Sequence, residues 1–323
     1  MKQVGLLIPH QYKLLSIAAI LDVFESVNKF CREHDQSVPF SISLIQPTGF
    51  STNDIHLLFG YQPQSITTNL QQDLILIPAF TTDDMKQAIQ ENQSYIPWLQ
   101  TQFKNGAEIA TFCTGAFLLG SSGLLDGKTA TTHVDACNAF AAAFPAVNLR
   151  ADKTVTHDGR LYTSGGATST FHLLLLLVQR HCGKAIAIRT AKVFAIDMDR
   201  HKQSYFSTFQ PSRDHNDELV ATAQQKIESC YHDTGTIEEM IKDIPSSRRN
   251  IVRRFKQVTG ITPIEYLQQT RIEAAKKLLE QTGDQMAEVI FKSGYNDPKS
   301  FRKIFRKNVG MTPSEYRDKF QVN

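Results

Sequence analysis

The sequence has little of what marks secreted, membrane-spanning or metal-holding proteins. Its five cysteines are odd in number and widely spaced, with no C-x-x-C pair and no zinc-like spacing to histidine, so neither a disulfide framework nor a metal site is expected. Pro9 and His10 interrupt the N-terminus too early for a signal peptide. The strongest apolar run, residues 173–178, has six residues, whereas a membrane-spanning helix needs about 20. We therefore expect a cytoplasmic protein that makes no use of a membrane.

Cofactor motifs are equally scarce. No G-x-G-x-x-G fingerprint is present, so Gly165 and Gly166 predict only a short turn that suits an anion, and no cofactor is expected. The net charge of +3 is too small to indicate a partner. Hydrophobic residues at 41% and charged residues at 21% are ordinary for a globular protein, and 323 residues are enough for two domains with a core each.

The part of the chain before residue 200 alternates short apolar runs with helical patterns. The predicted strands are residues 4–8, 41–46, 73–77, 107–112, 128–132 and 161–163. The predicted helices are residues 17–30, 85–90, 94–104, 114–121 and 167–181. Strands that alternate with helices favour a mostly parallel sheet with helices on both faces.

A break in this pattern predicts the domain boundary. Residues 207–216 are rich in turn-formers and carry no periodic apolar pattern. Beyond them, no β-rich segment occurs before residue 320. We predict an α/β domain over residues 1–210 and an all-α domain over residues 211–323.

A segment near the C-terminus occurs twice. Residues 255–266 (FKQVTGITPIEY) return at residues 305–316 (FRKNVGMTPSEY), 50 positions later. Self-similarity of this kind indicates one supersecondary unit used twice. The first copy begins inside a helix predicted over residues 247–258, and the second begins inside a helix predicted over residues 298–307.

Both helices are predicted to bury an apolar side that contains phenylalanine and to expose a basic side. At about 100° per residue, Ile251 and Phe255 mark the buried side of the first helix, and Phe301 and Phe305 mark that of the second. The stretches that hold five basic side chains and no acid are residues 246–256 and 299–307. A solvated charged face is the ordinary explanation of such runs, but the same acid-free layout at two matched positions favours DNA binding.

A short helix and a tight turn precede each basic helix. The short helices are predicted over residues 236–243 and 285–292, and Asp297 and Pro298 supply an N-cap and a first-turn proline to the second basic helix. A short helix, a turn and a second helix that enters the major groove form the helix-turn-helix arrangement. The sequence therefore predicts two such units.

Residues 236–317 resemble the AraC/XylS family of bacterial transcription regulators. The resemblance is carried by residues 287–305, AEVIFKSGYNDPKSFRKIF, and residues 310–317, GMTPSEYR. It implies two helix-turn-helix units joined by a long helix, here residues 263–280, with recognition helices in major-groove faces about 34 Å apart. It also implies a double-stranded DNA operator as partner and a homodimer as assembly.

The side chains predicted to meet DNA fall into two groups. Those that face outward near the helix starts are expected to read bases: Arg249, Arg253, Lys299, Arg302 and Lys303. Those further along are expected to meet phosphates: Lys256, Arg306 and Lys307. The other candidates on the same helices are Arg248, Asn250 and Ser300.

Cys113 lies between a predicted strand and a predicted helix, in the segment AEIATFCTGAFLL. A side chain on such a sharp turn is expected to be exposed beside helix N–H groups, which would lower the pKa of the thiol and make it reactive. His133 follows 20 residues later, at the end of a predicted strand.

Residues 3–200 resemble the ThiJ/PfpI superfamily, a flavodoxin-like sandwich related to class I glutamine amidotransferases. The strand–Cys113–Thr114–Gly115 elbow, His133 and the turn at residues 163–168 carry the resemblance. It implies an α/β flavodoxin-like domain fused to an all-α domain with two helix-turn-helix units, as in a known class of regulators.

The enzymes of that superfamily carry an acid on the first helix beside the cysteine. Ser16 occupies this position here, so no catalytic residue is assigned and a non-catalytic pocket for a small-molecule effector is favoured. A buried structural cysteine, a cysteine hydrolase or amidase, and a thiol-oxidation sensor remain alternatives, and His133 fits a satisfied core residue equally well. The pocket candidates are Cys113, Thr114, Gly115, His133, Ser16, Gly165 and Gly166.

Overall fold

The computed structural model describes residues 1–34, 37–47, 60–61, 63–66, 71–209, 211, 213 and 215–321. It divides into two compact units, Met1–Gln203 and Ser204–Asn323. The division falls a few residues before the boundary predicted near residue 210. Of the turn-rich segment that suggested this boundary, residues 210, 212 and 214 lie outside the described part of the chain.

The first unit is built on a seven-stranded sheet of order β3-β2-β1-β4-β5-β9-β8. The strands of the unit are β1 (Lys2–Leu7), β2 (Phe40–Gln46), β3 (Gln64–Ser65), β4 (Leu74–Ile77), β5 (Glu108–Thr111), β6 (Thr129–Ala130), β7 (Asn148–Leu149), β8 (Val155–Asp158) and β9 (Leu161–Ser164). All neighbours in the sheet run parallel except β8, which pairs antiparallel with β9 at the edge. The predicted mostly parallel sheet is confirmed.

The strands of this unit differ from the prediction in several places, and the two-residue strands β3 and β7 were not predicted. The strand predicted over residues 128–132 is reduced to β6, which pairs with β7 in a separate two-stranded sheet. The edge strand β8 was not predicted, because Val155-Thr-His-Asp158 carries one strongly apolar residue and no alternation to reveal it.

Helices cover both faces of the sheet, as predicted. They are α1 (Leu14–Arg32), α2 (Met85–Glu91), α3 (Tyr95–Lys104), α4 (Ala116–Ser121), α5 (Cys137–Ala143) and α6 (Ser169–Val193). Phe24 of α1 and Leu174 of α6 belong to the core on one face. Trp98 of α3, Phe117 of α4 and Phe140 of α5 belong to the core on the other.

Helix α6 is long and apolar enough, by length and composition, to cross a membrane. Its backbone is broken at Gly183, where φ is 84° and ψ is 169°, so the span is two helices that meet at a kink. Leu173, Leu177 and Val178 are fully buried in the core of the first unit. The apolar character of α6 is therefore used to cover the sheet.

The second unit is helical throughout its described part. Its helices are α7 (Glu218–Cys230), α8 (Ile237–Ile241), α9 (Arg248–Thr259), α10 (Pro263–Gln281), α11 (Met286–Lys292), α12 (Pro298–Val309) and α13 (Pro313–Phe320). One core joins α7, α8, α9 and the start of α10, where Tyr266 and Leu267 lie. A second core joins the rest of α10 to α11, α12 and α13. Two helix-turn-helix units are thus joined by α10, as the resemblance to the AraC/XylS family implied.

The sequence repeat is reproduced at the helix ends. The C-cap residues of α9 and α12 are Gly260 and Gly310. Both have a left-handed backbone, with φ of 80° and 89°. The next helices both begin with a capping box, Thr262 with Glu265 and Thr312 with Glu315. These local signals explain why both basic helices were predicted to within two residues of their observed ends.

The structural repeat is longer than the sequence repeat. Tyr266 donates to Oε1 of Glu228 on α7 at 2.5 Å, and its counterpart Tyr316 donates to Oε1 of Glu280 on α10 at 2.5 Å. Helix α7 therefore supports the first unit as α10 supports the second. The sequence segments show no visible similarity here, so this part of the repeat was not predicted.

The Asp297 cap provides a test of how α12 begins. Its carboxylate accepts from the N–H groups of Lys299 at 3.1 Å and Ser300 at 2.9 Å. Asp297→Ala is expected to lower the free energy of unfolding by about 1 kcal/mol, because it leaves both N–H groups to water. Urea denaturation of the full chain measures this, with the exposed Asp318→Ala on α13 as control. Equal effects of the two changes would contradict the cap.

Candidate DNA interface and ligand pocket

Helix α9 buries one side and exposes cations on the other. Ile251 and Phe255 are 1% and 0% exposed, whereas Arg249, Arg253 and Lys256 are exposed. The helix begins where the hydroxyl of the N-cap Ser247 accepts from the N–H of Asn250 at 3.3 Å. The outward placement of the predicted cations on α9 is therefore observed.

The polar side chains at the start of α9 are linked to one another. Nη2 of Arg253 donates to Oδ1 of Asn250 at 3.0 Å, and Nδ2 of Asn250 donates to Oγ of Ser246 at 2.9 Å. This chain of hydrogen bonds orients the side chain of Arg253, which is exposed. Arg248, by contrast, forms an ion pair with Glu238 on α8.

Arg254 is a basic residue of α9 that does not face outward. Its guanidinium contacts both carboxylate oxygens of Asp217 at 2.8 Å, in a two-point pair. The pair lowers the pKa of Asp217, and Asp217 also accepts from the N–H of Val220 as the N-cap of α7. Arg254 thus fixes α9 to α7, and one of the five basic side chains counted in the first stretch is structural.

Helix α12 repeats the arrangement with a denser set of cations. Phe301 and Phe305 are fully buried. The exposed polar side chains are Lys299, Ser300, Arg302, Lys303, Arg306 and Lys307. Among the described residues, no carboxylate lies within 4.0 Å of a charged nitrogen of any of these cations, whereas Lys292 on α11 is paired with Asp284. The cations of α12 are therefore available to an external anion.

The two basic helices approach one carboxylate of α10. Hydrogen bonds from Thr262 lower the pKa of Glu265, and Lys256 of α9 and Lys307 of α12 lower it further. Lys256 and Lys307 are therefore both close enough to the start of α10 to act on Glu265.

In the first unit, Cys113 lies at a strained elbow. The chain leaves β5 through Phe112 and turns at Cys113, whose φ is 55°, before α4 begins. Gly115 follows because a Cβ at this position would lie 2.5 Å from the carbonyl oxygen of Pro78. The strand–Cys–Thr–Gly elbow predicted from the sequence is therefore present.

The predicted exposure and acidity of the Cys113 thiol are wrong. The residue is 3% exposed, and burial raises the pKa of the thiol because the thiolate loses hydration. The N–H and hydroxyl of Thr114 and the charge of Lys13 oppose this effect and only reduce it. The elbow geometry was readable in the sequence, but the burial of the thiol was not.

Ser16 and Thr114 hold the chain that runs beside the elbow. Oγ of Ser16 accepts from the N–H of Ala79 at 3.1 Å. Oγ1 of Thr114 accepts from the N–H of Phe80 at 2.8 Å and donates to its carbonyl at 3.2 Å. Both hydroxyls therefore position residues after β4, and Ser16 contributes no carboxylate to the site.

The other pocket candidates lie around the same strand ends. The hydroxyl of Thr132 donates to the carbonyl of Cys113 at 3.0 Å. The backbone of His133, the next residue in the chain, therefore lies near the elbow. Nδ1 of His133 accepts from the N–H of Asp135 at 3.2 Å, so Nε2 carries the proton of the neutral ring. A Cβ on Gly166 would meet this Nε2 at 3.5 Å. The structure therefore brings His133 and Gly166 together.

Gln203 is a part of this region that sequence reasoning missed. It is 1% exposed, and its Nε2 donates to the carbonyls of Thr132 at 3.0 Å and Ala151 at 3.1 Å. Its Oε1 accepts from the N–H of Gly166 at 3.1 Å, and a Cβ on Gly165 would lie 1.8 Å from that oxygen. Gly165 is therefore a glycine because Gln203 fills the space beside it.

Buried hydroxyls at the strand ends give the region polar character. In the described part of the chain, Oγ1 of Thr111, Oγ of Ser164 and Oγ of Ser169 are buried without a hydrogen-bond partner. Thr111 ends β5, Ser164 ends the neighbouring β9, and Ser169 begins α6. Because unpaired buried hydroxyls are costly, these three hydroxyls favour a polar occupant.

Comparisons with known proteins identify both units. Residues 51–180 match the DJ-1/PfpI family, and residues 242–319 match a helix-turn-helix domain family. The chain is 26% identical over 233 residues to the HTH-type transcriptional regulator GbdR of Pseudomonas aeruginosa, covering 70% of this chain and 61% of that protein. It is 27% identical over 224 residues to the HTH-type transcriptional regulator CdhR of the same species, covering 69% of this chain and 66% of that protein.

The chain thus spans slightly less than two thirds of the length of these curated relatives. Among solved structures, it matches DJ-1beta of Drosophila melanogaster with a TM-score of 0.47 and 17% identity, over 61% of this chain and 98% of that one. These matches show that the chain joins a DJ-1/PfpI domain to a C-terminal helix-turn-helix domain of the AraC type.

Proposed function

We propose that the chain is a sequence-specific transcription regulator that binds a double-stranded DNA operator with α9 and α12 as its recognition helices. The main observation in support is that α9 and α12, which occupy matched positions in the repeat, each bury an apolar side and expose cations on the opposite side. Such faces bind a phosphate backbone and release its counterions. Arg249, Arg253, Lys299, Arg302 and Lys303 would read bases, while Lys256, Arg306 and Lys307 would contact phosphates.

The first unit is proposed to bind a small-molecule effector at the carboxyl ends of its strands, without catalysis. Parallel α/β sheets hold ligands at this edge. Support comes from the buried hydroxyls of Thr111, Ser164 and Ser169 and from the proton-bearing Nε2 of His133. The protonated, buried thiol of Cys113 and the serine at position 16 speak against a nucleophile with an acid partner.

Two consecutive residues offer a route from the effector to the DNA-binding helices. Gln203, the last residue of the first unit, is hydrogen-bonded to Thr132, Ala151 and Gly166 beside the proposed pocket. Ser204, the first residue of the second unit, donates to the carbonyl of Val309 at 3.0 Å, at the end of α12. An effector that displaces the Gln203 amide would therefore act on α12 through one peptide bond.

The relatives are named as regulators, and a homodimer in the cytoplasm is the assembly we propose by analogy with them. A second copy would double the number of helices on the DNA and lengthen the operator. Specific affinity would then depend on four recognition helices, not two.

Two substitutions distinguish base reading from phosphate contact. Arg253→Ala is expected to relax the preference at one base pair by about 1–3 kcal/mol, because a two-point contact to guanine is lost. Lys307→Ala is expected to weaken binding to all sequences alike and to reduce the salt dependence by about one counterion. Selection of bound sequences followed by titrations at several salt concentrations measures both, with Lys86→Ala on α2 as control. Unchanged binding in both variants would refute the groove assignment.

The burial of Cys113 predicts a slow thiol. Because the pKa of Cys113 is raised, the thiolate fraction near neutral pH is smaller than that of an ordinary cysteine, and iodoacetamide is expected to label it more slowly than Cys230. Peptide mass spectrometry after short exposures at pH 7.5 gives both rates. Labelling of Cys113 ahead of Cys230, or DNA affinity that changes with mild peroxide in the native chain and not in Cys113→Ala, would favour the thiol-sensor alternative.

Gln203→Ala tests the proposed route. It removes hydrogen bonds to three buried backbone groups, so a loss of about 1–3 kcal/mol in the free energy of unfolding is expected. DNA affinity is expected to change as well, because only the backbone bond to Asp152 would still hold the segment that precedes Ser204. Denaturation and DNA titration of the full chain measure the two effects, with the exposed Gln93→Ala as control. Lost stability with unchanged affinity would make the Gln203 anchor purely structural.

A further inference from the structure

A cleft of about 500 Å³ opens on the first unit at the edge of the sheet, away from the Cys113 elbow. Strand β8 forms its floor, one side of α6 forms one wall, and residues 198–201 form the other. Its volume is in the range that small-molecule sites occupy. None of the pocket candidates around Cys113 lines it.

The polar lining of the cleft is cationic. Its charged residues are Arg150, Lys153 and Arg200, and none of its lining residues is acidic. His157, His172 and His201 also line it, and burial lowers the pKa of His172, so the positive charge comes from the two arginines and the lysine. Asp152, which is not among the lining residues, has its Oδ1 3.5 Å from Nε of Arg150. In the described part of the chain, Lys153 has no carboxylate within 4.0 Å. The electrostatics of the lining therefore favour an anion.

The remaining lining is apolar. Leu175 and Leu176 come from α6, Val155 from β8 and Met198 from the opposite wall. Met198 is 40% exposed, so an occupant of the cleft could contact its side chain. An inorganic anion would leave these surfaces wet. An anion with an apolar body would use both parts of the lining.

A buried hydroxyl completes the site. Thr154 lines the cleft, is 1% exposed, and its Oγ1 has no hydrogen-bond partner among the described residues. By contrast, the hydroxyl of Thr156, two residues further along, is hydrogen-bonded to the hydroxyl of Thr163 at 2.7 Å. An unpaired buried hydroxyl is costly in a folded protein unless a ligand uses it.

We propose that this cleft binds a small organic carboxylate with an aliphatic or aromatic body, as a ligand site separate from the one at the strand ends. Lys153 and Arg150 would hold the carboxylate, Thr154 would donate to it, and the leucines of α6 would cover the body. The site does not depend on the proposed DNA binding.

The wall of the cleft leads directly to Gln203. The N–H of Thr154 donates to the carbonyl of His201 at 3.3 Å, and the N–H of Gln203 donates to the carbonyl of Asp152 at 3.0 Å. Residues 152–154 and 201–203 therefore run side by side between the cleft and the Gln203 anchor. A ligand that contacts both segments would restrict the motion of residues 201–203, which end the first unit. An effect of this restriction on DNA binding is the one consequence that rests on the proposed function.

The experiment measures binding to the full chain without DNA, so that its outcome is independent of the regulator proposal. Hexanoate and benzoate, their uncharged amides, and inorganic phosphate are titrated at low salt by calorimetry, with the shift in melting temperature as a second measurement. We expect at least one carboxylate to bind, and we expect its amide and phosphate to bind at least ten times more weakly. Equal binding of a carboxylate and its amide, or no binding in the whole panel, would overturn the proposal.

Substitutions locate the site. Lys153→Gln is expected to weaken carboxylate binding about ten-fold, the loss of one charged hydrogen bond, and Lys86→Gln on α2 is expected to leave it unchanged. Thr154→Val keeps the volume and removes the hydroxyl, so it should weaken the carboxylate while the preference over the amide persists. If carboxylate binding survived Lys153→Gln and Arg150→Gln unchanged, the cleft would not be the site.

Discussion

The presentation of both basic helices depends on one aromatic contact that occurs twice. Phe255 of α9 packs edge-on against Tyr266 with ring centres 5.2 Å apart, and Phe305 of α12 packs edge-on against Tyr316 at 5.6 Å. Each tyrosine is held in turn by a glutamate on the supporting helix, Glu228 or Glu280. Because these rings are buried, the helix can rotate little about its axis, and the direction of every cation on its far side follows from that restriction.

Local signals made the second unit predictable. Helix starts and stops are set by residues next to them, such as Asp297 before α12 and Gly310 after it, and the period of the buried aromatics gives the face. What the sequence hid are contacts between distant segments. Arg254 looks like one more DNA-facing cation until Asp217, 37 positions away, is seen to hold it. The missed edge strand β8 is recognisable only through its pairing with β9.

The first unit shows the same division more sharply. The turn at Cys113 is a local property of a strand that runs into a helix, and it is present. Whether its thiol is acidic depends on competition between burial, which raises the pKa, and the Thr114 groups and Lys13, which lower it; burial prevails. Gln203 could not have been recognised as an anchor, because Thr132, Ala151 and Gly166 become its neighbours only in the folded chain.

The position of the Gln203 anchor also limits what a ligand can achieve. A ligand shifts an equilibrium only by the difference of its affinities for the two states, so a regulator needs a ligand contact that changes when the DNA-binding unit changes. Most of the sheet cannot provide such a contact, since its core side chains are buried away from ligands. Residues 198–203 can, because they border the cationic cleft, bond to the strand-end loops through Gln203, and continue into Ser204. Two ligand sites that share this segment would be coupled to each other as well as to DNA, and each would alter the apparent affinity of the other by the same factor.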